Sequence, residues 1–343
     1  MTTNKFTAGL VSTIIPVFNR ADLVVDAIES VLQQHYRPIE IIVVNDGSTD
    51  ETLAVLSALS QQHAELTVIS QINQGPSVAR ETGRLNASGE YIQYLDSDDL
   101  LLPDKFSLQV AALEQESSTG VQAGLCYSKE MRIGLDDLTL LLGDDLNLQQ
   151  LDLNDESAIK ITGQRIEAIF PALLWGSLWG TSVPLWRRSL TDQLGEWLSL
   201  INEEDIEYDA RAGALGVSLA YVEQFVAIQR VHHNHLSQGG DVDPVKLRHR
   251  FKSRQHVYKH AINAGMNAQD PAMQHFAKTV FLLARHCVEQ NMLKHSLKAL
   301  SLAIKANGGK YCKASLYRVL LHLFGTKNLQ KLNRFGEWLR QTD

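Results

Sequence analysis

The chain has 343 residues, 44% hydrophobic and 21% charged, with a formal net charge of −7. That length fits about two domains of roughly 100–200 residues, with the composition of a soluble globular protein. Cys126, Cys287 and Cys312 are odd in number and far apart, which excludes a disulfide framework or a cysteine zinc site and predicts a reducing compartment.

The chain starts without a positive n-region, a long apolar core or a cleavage site, so its first apolar run reads as a strand and not as a signal peptide. Residues 11–17 are predicted as that strand and 21–34 as a helix. A second strand, rich in β-branched residues, covers 39–45. A helix opens at Asp50, capped by Ser48 or Thr49, and runs to about His63. A third strand spans 66–70, and a helix with Pro76 in its first turn spans 76–86. Residues 91–95 are the fourth strand, followed by a helix from about Pro103 to Glu116. Near-continuous apolar strands separated by helices predict a mostly parallel, Rossmann-like sheet covered on both faces.

Residues 120–183 are less regular and carry acidic groups at Asp136-Asp137, Asp144-Asp145 and 152–156. The stretch 168–186 carries no charge, but Pro171, Gly176, Gly180 and Pro184 interrupt it, so it reads as buried loop and strand rather than a membrane span. Beyond Gly240 the pattern is helical, with runs at 247–264, 272–290, 293–306, 314–324 and 329–340. Charge divides at the same place, with +12 over 241–343 against −19 over 1–240. Two domains are predicted, 1–240 and a basic all-helical 241–343.

The strand ends carry the chemistry. They deliver Pro16-Val17-Phe18-Asn19-Arg20, Asn45-Asp46-Gly47-Ser48, Asn73-Gln74-Gly75-Pro76 leading to Arg80, and Asp96-Ser97-Asp98-Asp99. In a parallel sheet these lie along one rim, where ligands bind in open α/β folds. Asp46 can accept from a base imide or a ribose hydroxyl, and Gly75 permits close backbone approach. Crowded carboxylates at Asp96–Asp99 call for a counter-charge, and a Mg²⁺ or Mn²⁺ ion carrying substrate phosphates supplies it. The ordinary alternative is a turn whose Asp caps the next helix. No Gly-x-Gly-x-x-Gly follows the first strand and no Walker lysine is present, so dinucleotide and P-loop readings lose ground.

These four motifs, at 12–20, 41–52, 73–83 and 89–106, resemble in order those of the family 2 glycosyltransferases. The resemblance implies a GT-A fold and inverting transfer from a nucleotide-diphosphate sugar, with a UDP-sugar as the expected donor. It implies that Asp46 contacts the base, that Asp98 ligates Mn²⁺ or Mg²⁺, and that Asp96 positions ribose or metal. Pro16, Phe18, Asn19, Asn73, Gly75 and Arg80 complete the expected donor-binding set. Phe18 stands where many relatives have Tyr, and Glu81 where many have Asn.

Two further matches extend to about residue 240. Glu204-Asp205 resembles the family's acidic pair at a helix start, one of which would be the base that deprotonates the acceptor hydroxyl. Helix-dipole complementation is the ordinary account of such acids. His232, in Arg230-Val231-His232-His233-Asn234-His235, is the resemblance's further metal or diphosphate contact. The implied activity is a hexosyltransferase-type enzyme acting on a glycan or lipid-linked acceptor in cell-surface polysaccharide or lipopolysaccharide synthesis. Transfer to a polyprenyl phosphate and a catalytically silent nucleotide-sugar-binding scaffold are the alternatives. The expected location is the cytoplasm. For the basic region two readings stand, a solvated helical cap and docking to an anionic membrane surface; nucleic acid is not expected.

Overall fold

The computed structural model describes residues 6–115, 120–135, 138, 148, 160–231 and 242–341. Strand β1 (Thr7–Val17) is followed by helix α1 (Ala21–Leu32), β2 (Ile39–Asn45), α2 (Thr52–Gln62), β3 (Leu66–Ser70), α3 (Pro76–Asn86) and β4 (Gly89–Tyr94). The predicted elements of this region are therefore present within a few residues of their expected ends. Helix α2 starts later than expected, because Asp50 Oδ1 accepts from the Thr52 amide at 3.0 Å. Ser48 does not cap it; its Oγ accepts from the Asn19 amide at 3.0 Å and joins two loops.

Strand β1 pairs in parallel with β2 and β4, and β2 in parallel with β3. The register opposes Val17 to Asn45 and Asn45 to Ser70, while Ile14 faces Tyr94. The strands therefore end along one rim. Being central, β1 is buried from Val11 to Val17, which accounts for its unbroken apolar run.

Beyond β4 the sheet changes character. Short β5 (Asp99–Leu101) is followed by α4 (Lys105–Glu114), β6 (Leu125–Gly134), β7 (Lys160–Thr162), a helical turn α5 (Ile169–Ala172), β8 (Leu185–Arg187), α6 (Arg188–Leu194), α7 (Glu204–Ala214) and β9 (Leu219–Val231). The sheet order is β3-β2-β1-β4-β8-β6-β9-β5, with β7 also on β6. Strand β8 runs antiparallel to β4 and β6, β5 antiparallel to β9, and β6 parallel to β9. The sheet is thus mixed, and the parallel expectation holds for β1–β4. Strands of three residues are too short to show a period in sequence, so β5 and β7 left no signal, while β8 falls at the end of the stretch read as buried loop and strand. Leu100, Leu102, Met131, Ile133 and Ile228 form an apolar core beneath this half.

The C-terminal part is helical as expected: α8 (Pro244–Asn263), α9 (Pro271–Glu289), α10 (Leu293–Ala306) and α11 (Cys312–Gln341). The two runs expected at 314–324 and 329–340 form one segment interrupted at Gly325, whose φ is 66°. By compactness the described chain forms two units. The first holds the sheet, including Leu178–Ser199 and the strand after Val217; the second joins α8–α11 to Ile169–Ser177 and Leu200–Gly216, and so contains α7.

Helix α3 packs on β1 through Gly83, where a Cβ would overlap Ile14 Cγ2 in the buried strand. Gly83→Ala should cost about 1–3 kcal/mol, the range for overpacking a core. We expect a fall in Tm of several degrees by circular dichroism. An unchanged melting curve would show that α3 and β1 separate without cost.

Candidate active site

The rim is built from loops that hold one another. Asn19, with φ of 51°, follows β1 and accepts at Oδ1 from the Thr49 amide at 2.8 Å, while Asn45 Oδ1 accepts from Ser48 N at 3.1 Å. Asp46 is almost fully buried at the end of β2. Its Oδ1 accepts from Gln71 Nε2 at 2.8 Å and from Gln74 N at 2.9 Å, and its Oδ2 accepts from Gly75 N at 2.8 Å. One carboxylate therefore fixes the whole turn that precedes α3. Gly47 is required beside it: φ is 75°, and a Cβ would stand 2.8 Å from the Asn73 amide nitrogen. Phe18 and Asn73 are exposed on this rim, whereas Pro16 is buried within β1.

At the end of β4 the carboxylates take different environments. Asp96 is half-buried, and Oδ1 accepts from Arg80 Nη2 at 2.6 Å. Arg80 is itself buried on α3, with its guanidinium 5.0 Å from the centre of the Trp197 ring. Trp197 meets Tyr94 edge-on at 4.9 Å. Asp98 is half-buried, and its backbone oxygen accepts from Arg230 Nε at 2.6 Å. Asp99 turns inward as the first residue of β5, where Oδ2 accepts from Ser182 Oγ at 2.9 Å and Oδ1 from Arg230 N at 3.3 Å. Burial first, and then the charges of Asp98, Asp96 and Glu130, hold the Asp99 carboxyl well above the usual range.

The rim thus brings together Phe18, Asn19, Asp46, Asn73, Gly75, Arg80, Asp96 and Asp98. Glu204 and Asp205 belong to the other unit, half-buried in the first turn of α7. Their neighbour Glu203 accepts at Oε1 from Arg250 Nε and Arg254 Nη2, each at 2.9 Å. His232 lies outside the described residues, as do the acidic groups at 136–137, 144–145 and 152–156. Sequence reasoning missed Ser182 and Trp197, and it named Asp99 and Arg230 within their motifs without giving either a role of its own. Arg230 had a signal, since it begins the His-bearing motif. It is fully buried, with Nη1 on Asp26 and Nη2 donating to Leu23 O at 2.9 Å, so it ties α1 to the Asp98 backbone.

An oxygen donor set of Asp96 and Asp98, with an inward carboxylate forced towards its neutral form, fits a hard divalent cation. Residues 12–146 match the family model "Glycosyl transferase family 2". Over these residues the chain is similar to the family 2 glycosyltransferases. An uncharacterized glycosyltransferase of Haemophilus influenzae is 32% identical over 158 residues, covering 43% of this chain and 63% of that protein. One of Rickettsia felis is 41% identical over 107 residues, covering 31% of this chain and 18% of that protein. The chain therefore spans only part of these relatives. Staphylococcus aureus TarS 1–349 in complex with UDP-GlcNAc is similar in structure, with a TM-score of 0.64 at 16% identity, covering 95% of this chain and 92% of that one. The described residues thus have the expected GT-A type of fold, with a helical C-terminal region. The matched segment contains Pro16 through Asp98 of the expected set, and not Glu204, Asp205 or His232.

Below the motif Lys105 is fully buried. Its Nζ donates to Val183 O at 2.6 Å and to Gln109 Oε1 at 2.7 Å. Burial draws its pKa down to about 7, against the opposing charges of Cys126 and Glu130. An unfolded lysine holds its proton to about pH 10.4, so between these values the unfolded chain binds more protons. The stability contributed by this group therefore rises with pH over that window. The Tm of the wild type should gain on that of Lys105→Met as pH rises from about 6 to about 9. A difference independent of pH would show that Lys105 keeps its proton throughout.

Proposed function

We propose that the protein is a metal-dependent, inverting glycosyltransferase that moves a hexose from a UDP-sugar to a hydroxyl of a glycan or lipid-linked acceptor in cell-surface polysaccharide or lipopolysaccharide synthesis. The observation that carries this reading is the carboxylate rim, Asp46 clamping its loop beside the crowded Asp96–Asp99. The UDP-GlcNAc complex of the structural neighbour supports a uridine nucleotide as donor. Asp98 and Asp96 would hold Mn²⁺ or Mg²⁺, which when bound offsets the charge of the leaving diphosphate. Exposed Phe18 offers an apolar face at the rim, and Arg80 orients Asp96. Asp205, or Glu204, takes the acceptor proton; Glu203 is already engaged by two arginines and is not assigned that task. His232 remains a proposed metal or diphosphate contact.

The basic helices are proposed to rest on an anionic membrane surface at the cytoplasmic face. Leu316, Val319, Leu323 and Phe324 are exposed along α11, at helical spacing among Lys313, Arg318 and Lys327, as an interfacial helix requires. Among the described residues no helix is long and apolar enough to cross a membrane.

Calorimetry with UDP-sugars and Mn²⁺ tests the donor site. Asp98→Asn should abolish the metal dependence of donor binding while leaving the melting curve intact, because a half-exposed rim carboxylate is not core. Unchanged metal dependence would remove Asp98 from the site.

Asp205→Asn is nearly isosteric and cannot take a proton, so turnover should fall by about 10²–10⁴-fold with donor affinity held within a few-fold. Wild-type turnover would transfer the role to Glu204, tested by the matching Glu204→Gln. Neither donor hydrolysis nor transfer by the wild type would favour the silent scaffold.

A further inference from the structure

In the helical unit, Glu207 on α7 faces His256 and His260 on α8. The histidines stand one helical turn apart and so share a face. Glu207 is 1% exposed, and its Oε1 accepts no hydrogen bond. His260 Nε2 lies 3.5 Å from that oxygen and His256 Nδ1 4.0 Å from it, beyond a good hydrogen bond. One ligand atom from each residue falls within 4.8 Å of the other two. Zinc bonds of about 2.0–2.1 Å put tetrahedral ligands roughly 3.3 Å apart, so the group is spaced like a slightly open ligand set.

We propose that Glu207, His256 and His260 form a zinc-class transition-metal site that fastens α7 to α8. Two imidazoles and one carboxylate are a known ligand class for zinc, with a fourth position left for water. The remaining Glu207 oxygen, Oε2, accepts from Arg211 Nη2 at 2.8 Å, which orients the carboxylate and leaves Oε1 for a cation. Burial keeps the His256 imidazole below its ordinary value although Glu207 opposes it, with His260, Lys252 and Lys259 adding to the lowering. The neutral ring is the metal-binding form. A buried carboxylate oxygen without a donor costs stability until a cation meets it. The site draws no residue from the Asp96–Asp98 rim and does not depend on the transferase reading.

The test uses the full chain, stripped with chelator and titrated with Co²⁺ at neutral pH. We expect one equivalent to give the visible bands of four- or five-coordinate Co²⁺, and Zn²⁺ to displace it and raise Tm. His256→Gln and His260→Gln should each weaken Co²⁺ binding by at least about tenfold, the scale for losing even an outer partner of a metal ligand. His256 is a third exposed, so its variant should fold, as circular dichroism will report. Replacing His232, His233 and His235 together, or Cys312 by Ser, should leave the bands intact. Bands that survive both His256→Gln and His260→Gln, bands lost with the 232–235 cluster or with Cys312, or no bands in the wild type would each overturn the site.

Discussion

Everything at the rim follows from placing three carboxylates within four residues at the end of a buried strand. Backbone geometry separates them. Asp96 and Asp98 stay half-buried at the turn, while the start of β5 at Asp99 drives the third carboxylate inward. A buried carboxylate is costly unless it is hydrogen-bonded or neutral. Here Ser182 and the Arg230 amide supply the bonds, and burial, followed by the neighbouring charges, pushes Asp99 towards its protonated form. Arg80 offsets part of the remaining charge at Asp96. Arg230 then couples this turn to α1 through Leu23 and Asp26, so the motif and the helix after β1 are positioned together.

Asp46 illustrates a different use of an acid. A carboxylate has about four acceptor positions, and three here are taken by Gln71, Gln74 and Gly75. Its first consequence is therefore a rigid loop before α3, with Gly47 small enough to pass under Asn73. Any ligand contact by Asp46 would draw on what is left. Preorganising a loop in this way reduces the ordering that a ligand must otherwise impose.

Long periodic segments were legible in the sequence, and residues without local periodicity were not. Strands β1–β4 and helix α3 could be read because β-branched runs and a helix-opening Pro76 are local signals. Strand β5 could not, because Asp99-Leu100-Leu101 acquires its strand character from pairing with Gln229, Ile228 and Ala227, more than a hundred residues away. The same holds for Ser182, whose role depends on β8 bringing its loop beside β4. At the candidate site the sequence named the half-exposed acids and overlooked the buried residues that hold them. The i, i+4 pair His256 and His260 was not singled out in the sequence, because only the fold puts Glu207 opposite it.

The charge division between the two parts of the chain also changes meaning in the fold. An excess of basic residues after residue 240 suggests an external anionic partner when read alone. Arg250 and Arg254 instead meet Glu203 within their own unit, at 25% and 16% side-chain exposure. Part of the excess is therefore internal compensation, and it selects among the acids of α7. Glu203 is drawn onto α8 and Glu207 is turned inward, while Glu204 and Asp205 remain half-buried in the first turn. A helix start lined with acids would by itself be helix-dipole complementation. Opposite charges on α8 that engage Glu203 while Glu204 and Asp205 keep some solvent exposure give this helix start an ordered division of labour that complementation alone does not require.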